Sequence, residues 1–351
     1  MSYELSIETQ KTPLDKKQLN DKQLPWIEKY RPKRLDEIIS HQDIIISLKN
    51  FIGKRTLPHL LFFGPSGSGK TSTIKCCAEK IYGPYTDCMI LILNASNERG
   101  IETVRTKIKN FVCNKNSIFL PRETHDIFKL VILDEIDSMI VEAQGMLRQT
   151  IEKNSRTTRF CLICNDIDKI NVALQSRCAL YRFAPLDYDD MTKRLGEICD
   201  LEKINYDTSA ISAIIKISKG DMRAAINILQ HVSLSVRKKL RLEHIYLISG
   251  HCMPEVNIKI FELLYDLSKM KIKLAQCIDT IVDIVVENNM TIFNLLEELK
   301  NIVMTSNFTM KQKIFLIDNF AHNEVYDSVN VDPKNIIMII SSLFIIVSQI
   351  K

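Results

Sequence analysis

The sequence predicts an α/β phosphate-loop domain built on a parallel five-stranded sheet, then a small helical domain and an all-α C-terminal domain. Three observations predict it. A complete G-x-x-x-x-G-K-[ST] loop, Gly64-Pro65-Ser66-Gly67-Ser68-Gly69-Lys70-Thr71, stands between the apolar run Leu60–Phe63 and the helix-compatible Ser72–Lys80. From Leu57 to Phe183, near-continuous Leu/Ile/Val/Phe runs alternate with helix-like segments, as parallel strands buried on both faces require. After Pro185 the strand signal stops, and apolar residues recur at helical spacing.

The 351 residues allow two or three domains, each with a well-buried core. A hydrophobic content of 46% and a charged content of 25% are ordinary for a globular chain. The net charge of +5 is mild, so any nucleic-acid surface has to be local. The ten cysteines are scattered, without a paired C-x-x-C framework. Cys161-Leu162-Ile163-Cys164 lies in an apolar strand, where alternation sends the two thiols to opposite faces, against zinc or redox chemistry. Free thiols in this number fit a reducing, intracellular compartment. Met1–Leu24 is polar and lacks an apolar signal-peptide core, so a flexible tail is expected there. Ile336–Ile350 is interrupted by Ser341, Ser342, Ser348 and Gln349 and falls short of the ~20 residues of a spanning helix. It reads as a bundle helix, and no membrane partner is expected.

Taken in order, structure begins at Pro25-Trp26. Pro32 biases Arg31 towards extended geometry, so Trp26–Pro32 is expected to be a shaped loop. A helix follows over Asp43–Phe51. Strands are expected at Leu60–Phe63, Met89–Leu93, Leu130–Leu133, Phe160–Cys164 and Leu180–Phe183, with a helix running through Phe111. Met191–Glu202, Ser209–Lys219 and Met222–Val236 read as helices, with Gly220 as a C-cap and Asp221 as an N-cap. The basic stretch Arg237-Lys238-Lys239-Leu240-Arg241 leads into a helical bundle with Asn/Asp breaks near 288, 306 and 318. The expected domains are residues 25–186, 187–240 and 241–351.

The loop carries the first chemistry. Its glycines let the backbone from Gly64 through Pro65, Ser66, Gly67 and Ser68 to Gly69 curl so that consecutive N–H groups point inward at phosphate oxygens. Lys70 reaches β/γ-phosphates, Thr71 can ligate Mg²⁺, and the helix entered at Ser72 adds its positive end. About sixty residues on, the apolar Leu130–Leu133 ends in Asp134-Glu135. Paired with the loop, Asp134 would hold Mg²⁺ and Glu135 would polarise an attacking water. Asn165 ends the next apolar run, either orienting water or starting a turn. Arg177 in Ser176-Arg177-Cys178 and Arg223 after Asp221 could each stabilise charge on a transferring phosphoryl group, and spacing does not choose between them. Arg105 and Lys109 sit i,i+4 on one helix face, fitting either a solvated face or a row of phosphates.

Together these stretches resemble the AAA+ ATPases, and within them the small subunits of replication factor C, the sliding-clamp loader. Trp26-Ile27-Glu28-Lys29-Tyr30-Arg31-Pro32 resembles the family's N-terminal box, and Pro58–Pro65 leads into its Walker A loop. Asn94-Ala95-Ser96-Asn97-Glu98-Arg99-Gly100 matches a family box except at Asn97, usually Asp. Asp134-Glu135-Ile136-Asp137 matches D-E-A-D except at Ile136; Thr158-Arg159-Phe160, Ser176-Arg177-Cys178 and Gly220-Asp221-Met222-Arg223 complete the set.

The resemblance implies that Tyr30 and Arg31 lie against ATP, with Mg²⁺ at Thr71 and Asp134. It implies that Asn165 is sensor 1, that Arg223 is sensor 2 on a helical lid, and that Arg177 is an arginine finger serving a neighbouring subunit. Arg105 and Lys109 would track primer–template DNA without regard to sequence, Ser117–Leu120 would face the clamp, and residues 241–351 would form the collar of a hetero-pentamer. The implied location is nuclear in a eukaryote, or cytoplasmic or at a replication site for a virus, and the Ile/Asn/Lys-rich composition is compatible with a large DNA virus. Two rivals are a different AAA+ motor, which would carry a winged-helix domain, and a scaffold subunit that binds ATP without hydrolysing it.

Overall fold

The computed structural model describes residues 24–96, 101–113, 128–236, 239–288, 290–327 and 332–349. The expected tail before Leu24, Asn97, and the expected clamp-facing Ser117–Leu120 lie outside the described residues. The chain divides into two compact units after Gln230.

In the first unit, helix α1 (Gln42–Gly53) precedes strand β1 (Leu60–Phe63), which feeds α2 (Lys70–Tyr82). Then follow β2 (Ile90–Asn94), α3 (Ile101–Cys113), β3 (Lys129–Asp134), α4 (Val141–Asn154), β4 (Thr158–Cys164) and β5 (Ala179–Arg182). The five strands are parallel, in the order β2-β3-β4-β1-β5, with Leu60 in register with both Cys161 and Ala179. Strand β4 therefore stands between β1 and β3. This order puts the residue after β4, Asn165, between the phosphate loop and Asp134 at the carboxyl edge.

Side-chain alternation splits the sheet's apolar residues into two cores. Leu60, Phe62, Ile132, Cys161 and Ile163 pack on one face with Ile45 and Leu48 of α1 and Ile74 of α2. Leu61, Val131, Leu133, Leu162 and Cys164 pack on the other with Ile108 of α3 and Leu147 and Ile151 of α4. Cys161 and Cys164 thus fall in different cores, and burial pushes both thiols up, Cys164 to about 12. Ile136, where the motif usually has alanine, is fully buried in the second core, which also holds Leu133 and Leu174.

Helices α5 (Tyr188–Leu201), α6 (Thr208–Ser218) and α7 (Met222–Ser235) follow the sheet. Asp221 caps α7 by accepting from the N–H groups of Arg223 (2.8 Å) and Ala224 (3.1 Å). The left-handed residues that end α6 are Lys219 (φ 50°) and Gly220 (φ 86°), so the turn begins one residue before the expected glycine cap.

Two expectations are corrected. Trp26–Lys29 is a single helical turn rather than a loop: Pro25 suits the position before a first turn, and Pro32 restricts only Arg31. There is no helix break at 318. In the second unit α8 (Leu242–Ser249), α9 (Pro254–Ser268), α10 (Leu274–Glu287) and α11 (Ile292–Thr305) precede α12 (Met310–Asp327), which runs straight through Asp318. That carboxylate is exposed while Leu316 and Phe320 keep the buried stripe, so it does not compete with the helix. With α13 (Pro333–Val347) these helices share one apolar core that includes Ile260, Leu299, Phe320, Ile336 and Phe344. No helix among the described residues is long and apolar enough to cross a membrane.

Candidate functional site

The phosphate loop holds its shape through backbone conformations and contacts that favour glycine. A Cβ on Gly64 (φ 143°) would lie 2.0 Å from the Phe183 carbonyl oxygen, and one on Gly67 (φ 63°) would lie 1.7 Å from Asp221 Oδ1. Inside the loop, Lys70 is only 7% exposed, and its ammonium donates to Gly64 O (2.7 Å), Pro65 O (2.7 Å) and Asn165 Oδ1 (3.0 Å). Its three donors are thereby matched by three neutral acceptors. Burial pulls the Lys70 pKa down, and the nearby charge of Asp134 works against that pull.

Thr71 Oγ1 donates to Asp134 Oδ2 at 2.8 Å, so a hydroxyl and a carboxylate from opposite sides of β4 stand side by side. A hard divalent cation takes oxygen ligands of this kind. Glu135, in a left-handed conformation (φ 56°), is exposed and walls the same cleft. Strained backbone of this sort persists where the surrounding structure fixes it, here through fully buried Ile136 next in the chain.

One cleft brings together Tyr30, Arg31, the loop from Ser66 to Ser72, Asp134, Glu135, Asn165 and Arg223. The Arg31 guanidinium is paired with Glu28 at 3.0 Å. The Tyr30 hydroxyl donates to Glu202, beside a 2.5 Å contact from Lys29 to the same carboxylate. Although burial works to raise it, these two partners hold the Glu202 carboxyl below its ordinary range. Burial and the Glu202 charge raise the Tyr30 phenol. Arg177 does not wall this cleft; it is bound to Glu152 on α4. Lys109 is exposed on α3, and Arg105 lies on the same helix with its side chain outside the described residues.

Several participants escaped sequence reasoning. Asp137 accepts from the N–H groups of Asn165 (3.2 Å) and Asp166 (3.4 Å), steadying the turn that carries the Lys70 acceptor. Asp221 was legible as a cap but not as the acceptor of Ser66 Oγ at 2.6 Å. Arg194 donates to the Tyr30 carbonyl at 3.0 Å, and Gln230 accepts from Trp26 N–H at 3.1 Å. The motif D-E-x-D marks Asp137; nothing local marks Arg194, Glu202 or Gln230.

A family model described as "ATPase family associated with various cellular activities (AAA)" matches residues 60–186. The chain is 69% identical over 330 residues to a putative replication factor C small subunit of Acanthamoeba polyphaga mimivirus, covering 94% of this chain and 96% of that one. It belongs to the replication factor C small-subunit family of AAA ATPases. Relatives extend to cellular organisms: it is 40% identical to the replication factor C small subunit of Methanococcus vannielii, over 84% of this chain and 90% of that one. It is 38% identical to replication factor C subunit 5 of Homo sapiens, over 89% and 88%. Among solved structures, a variant of Thermotoga maritima RuvB superposes with a TM-score of 0.50 at 16% identity, over 74% of this chain and 86% of that one, a likeness of fold alone. As an AAA ATPase of this family, the chain binds nucleotide, and the cleft around Lys70 is where its phosphate-loop residues converge.

Proposed function

We propose that this replication factor C small subunit takes part in ATP-dependent opening of a ring-shaped sliding clamp and its loading onto primer–template DNA. ATP is hydrolysed between subunits. Lys70 and Arg223 hold the phosphates, Asn165 orients the attacking water, and Glu135 accepts its proton. Thr71 and Asp134 would hold Mg²⁺, which supplies charge neutralisation on the phosphate oxygens. Tyr30 and Arg31 lie at the wall of the cleft, where the rest of the nucleotide would rest.

One observation carries the reading. Lys70, Thr71, Asp134, Glu135, Asn165 and Arg223 wall one cleft, whereas Arg177 does not wall it and is bound by Glu152. A site complete but for its finger, on a chain that carries a finger elsewhere, supports hydrolysis completed in trans by an adjacent subunit. Residues 187–240 then act as the lid and 241–351 as the collar of a hetero-pentamer. Exposed Met304, Met310 and Ile314 in the second unit offer apolar surface for neighbouring subunits. Arg105 and Lys109 contact the DNA backbone without reading sequence. The test is steady-state hydrolysis by the complex purified with its partner subunits. With clamp and primed DNA, Glu135→Gln is expected to lower turnover at least a hundredfold at the site it occupies, on the scale of losing a catalytic base. Wild-type turnover in that variant would remove the hydrolytic assignment.

A further inference from the structure

Glu152 stands between two arginines, and its partnership with them is uneven. The Arg177 Nε donates to Glu152 Oε1 at 2.7 Å, and Nη2 lies 2.7 Å from the same oxygen. Nη1 donates to Ala173 O at 2.6 Å and to Ser176 Oγ at 3.3 Å. All three nitrogens of the guanidinium are therefore engaged within the chain. One helical turn before Glu152, Arg148 Nε lies 3.9 Å from that Oε1, too far for a hydrogen bond. Arg148 Nε is buried and has no hydrogen-bond partner. The Arg148 side chain as a whole is 41% exposed, so it is this shielded Nε–H alone that lacks an acceptor, and the carboxylate nearest it is held by Arg177.

We propose that Glu152 is a positioning residue for Arg177 that exchanges partners: it clasps Arg177 at rest and turns to Arg148 when Arg177 extends to the neighbouring subunit's triphosphate. The inference rests on the reading of Arg177 as a finger acting in trans. Its physical basis is the balance of two ion pairs. Arg177 and Glu152 are 36% and 44% exposed, so their pair is weakly held and can be displaced by a more highly charged phosphate. Release leaves Glu152 to satisfy the orphaned Arg148 N–H, which offsets the lost pair. Helix α4 begins shortly after Glu135 and ends beside Glu152, so the clasp sits on the same helix that follows the chain's own catalytic strand. The clasp keeps the finger folded back when no triphosphate faces it.

The two partners of Glu152 should then affect turnover in opposite directions. The assay is ATP hydrolysis by the complex with its native partner subunits, measured without DNA and with clamp plus primed DNA. Glu152→Gln keeps the shape but drops the charge, and should raise the DNA-free rate about two- to fivefold, the range set by an exposed ion pair, without changing KM. Arg148→Gln removes the alternative partner and should lower the DNA-stimulated rate by a similar factor. In an Arg177→Ala background, adding Glu152→Gln should change nothing, because Glu152 acts only through Arg177. A Glu152→Gln complex whose DNA-free rate is unchanged or lower, or one that still shifts the rate without Arg177, would overturn the exchange while leaving the finger assignment standing. Full DNA-stimulated turnover in Arg177→Ala alone would overturn the finger assignment and the exchange with it.

Discussion

Gly67→Ala probes the contact between the phosphate loop and the start of α7. The new Cβ would lie 1.7 Å from Asp221 Oδ1 and 2.3 Å from its Cγ, far inside van der Waals contact, at a φ of 63°. Alanine in this left-handed conformation costs about 1–2 kcal/mol. Asp221 cannot simply rotate away, because the same Oδ1 caps α7 through Arg223 N–H at 2.8 Å and Ala224 N–H at 3.1 Å. Surrendering that cap costs about 1 kcal/mol. The free variant escapes this cost by undocking α7 from the loop, and binding that requires α7 docked is then weakened by up to the sum of about 2–3 kcal/mol, or about 30- to 150-fold. Titration of the chain with a fluorescent ATP analogue reads this directly. Asp221→Ala alone should lose both the cap and the Ser66 Oγ hydrogen bond, about 2 kcal/mol, and the double variant should lose less than the sum of the two single losses, since the Gly67→Ala clash is with the side chain that Asp221→Ala removes. Binding by Gly67→Ala within about threefold of the parent, or additive losses in the double variant, would refute the reasoning.

Three further outcomes are expected. His59 Nδ1 accepts from Phe160 N–H at 3.2 Å, and burial, with the Arg159 charge, pulls its pKa down to about 4 from an ordinary 6.5. The folded state therefore resists the proton that the unfolded chain takes, so stability is fully held above pH 6.5 and lost as pH falls towards 4. His59→Asn should flatten that part of a denaturation-versus-pH profile. Ile136→Ala should cost about 2–4 kcal/mol in urea unfolding while leaving Asp134 and Glu135 able to support hydrolysis at low temperature, because it empties core volume beside them. Arg105→Ala with Lys109→Ala should weaken primed-DNA binding and reduce its salt slope by about 2, and an unchanged slope would argue for an ordinary solvated face.

What the sequence made legible was local. The five strands were marked by short apolar runs, and each differs from its expected bounds by at most two residues at either end: β4 starts at Thr158 rather than Phe160, and β5 spans Ala179–Arg182 rather than Leu180–Phe183. The loop, Asp134-Glu135 and the Asp221 cap could be read because their chemistry depends on adjacent residues. The strand order could not, since no local pattern says that β4 inserts between β1 and β3, although this insertion brings Asn165 to Lys70. Glu202, Arg194 and Gln230 meet the Trp26–Arg31 segment across more than 160 residues of chain, as in the Tyr30–Glu202 hydrogen bond with its separation of 172. Trp26–Lys29 misled because proline was read as excluding helix, when Pro25 and Pro32 only bracket a turn. Asp318 misled because a helix breaker by composition is harmless on an exposed face.

The central claim, that one chain supplies a loop to its own site and a finger to another, is tested most directly by measuring nucleotide occupancy and single-turnover hydrolysis together in a complex carrying Arg177→Ala. The expected result is unchanged ATP binding at this chain's own cleft and a loss of hydrolysis of about a thousandfold or more at the neighbouring interface. Lys70→Ala should instead lose binding at its own cleft. Hydrolysis at the parental rate at that interface, or loss of this chain's own nucleotide in Arg177→Ala, would contradict the claim.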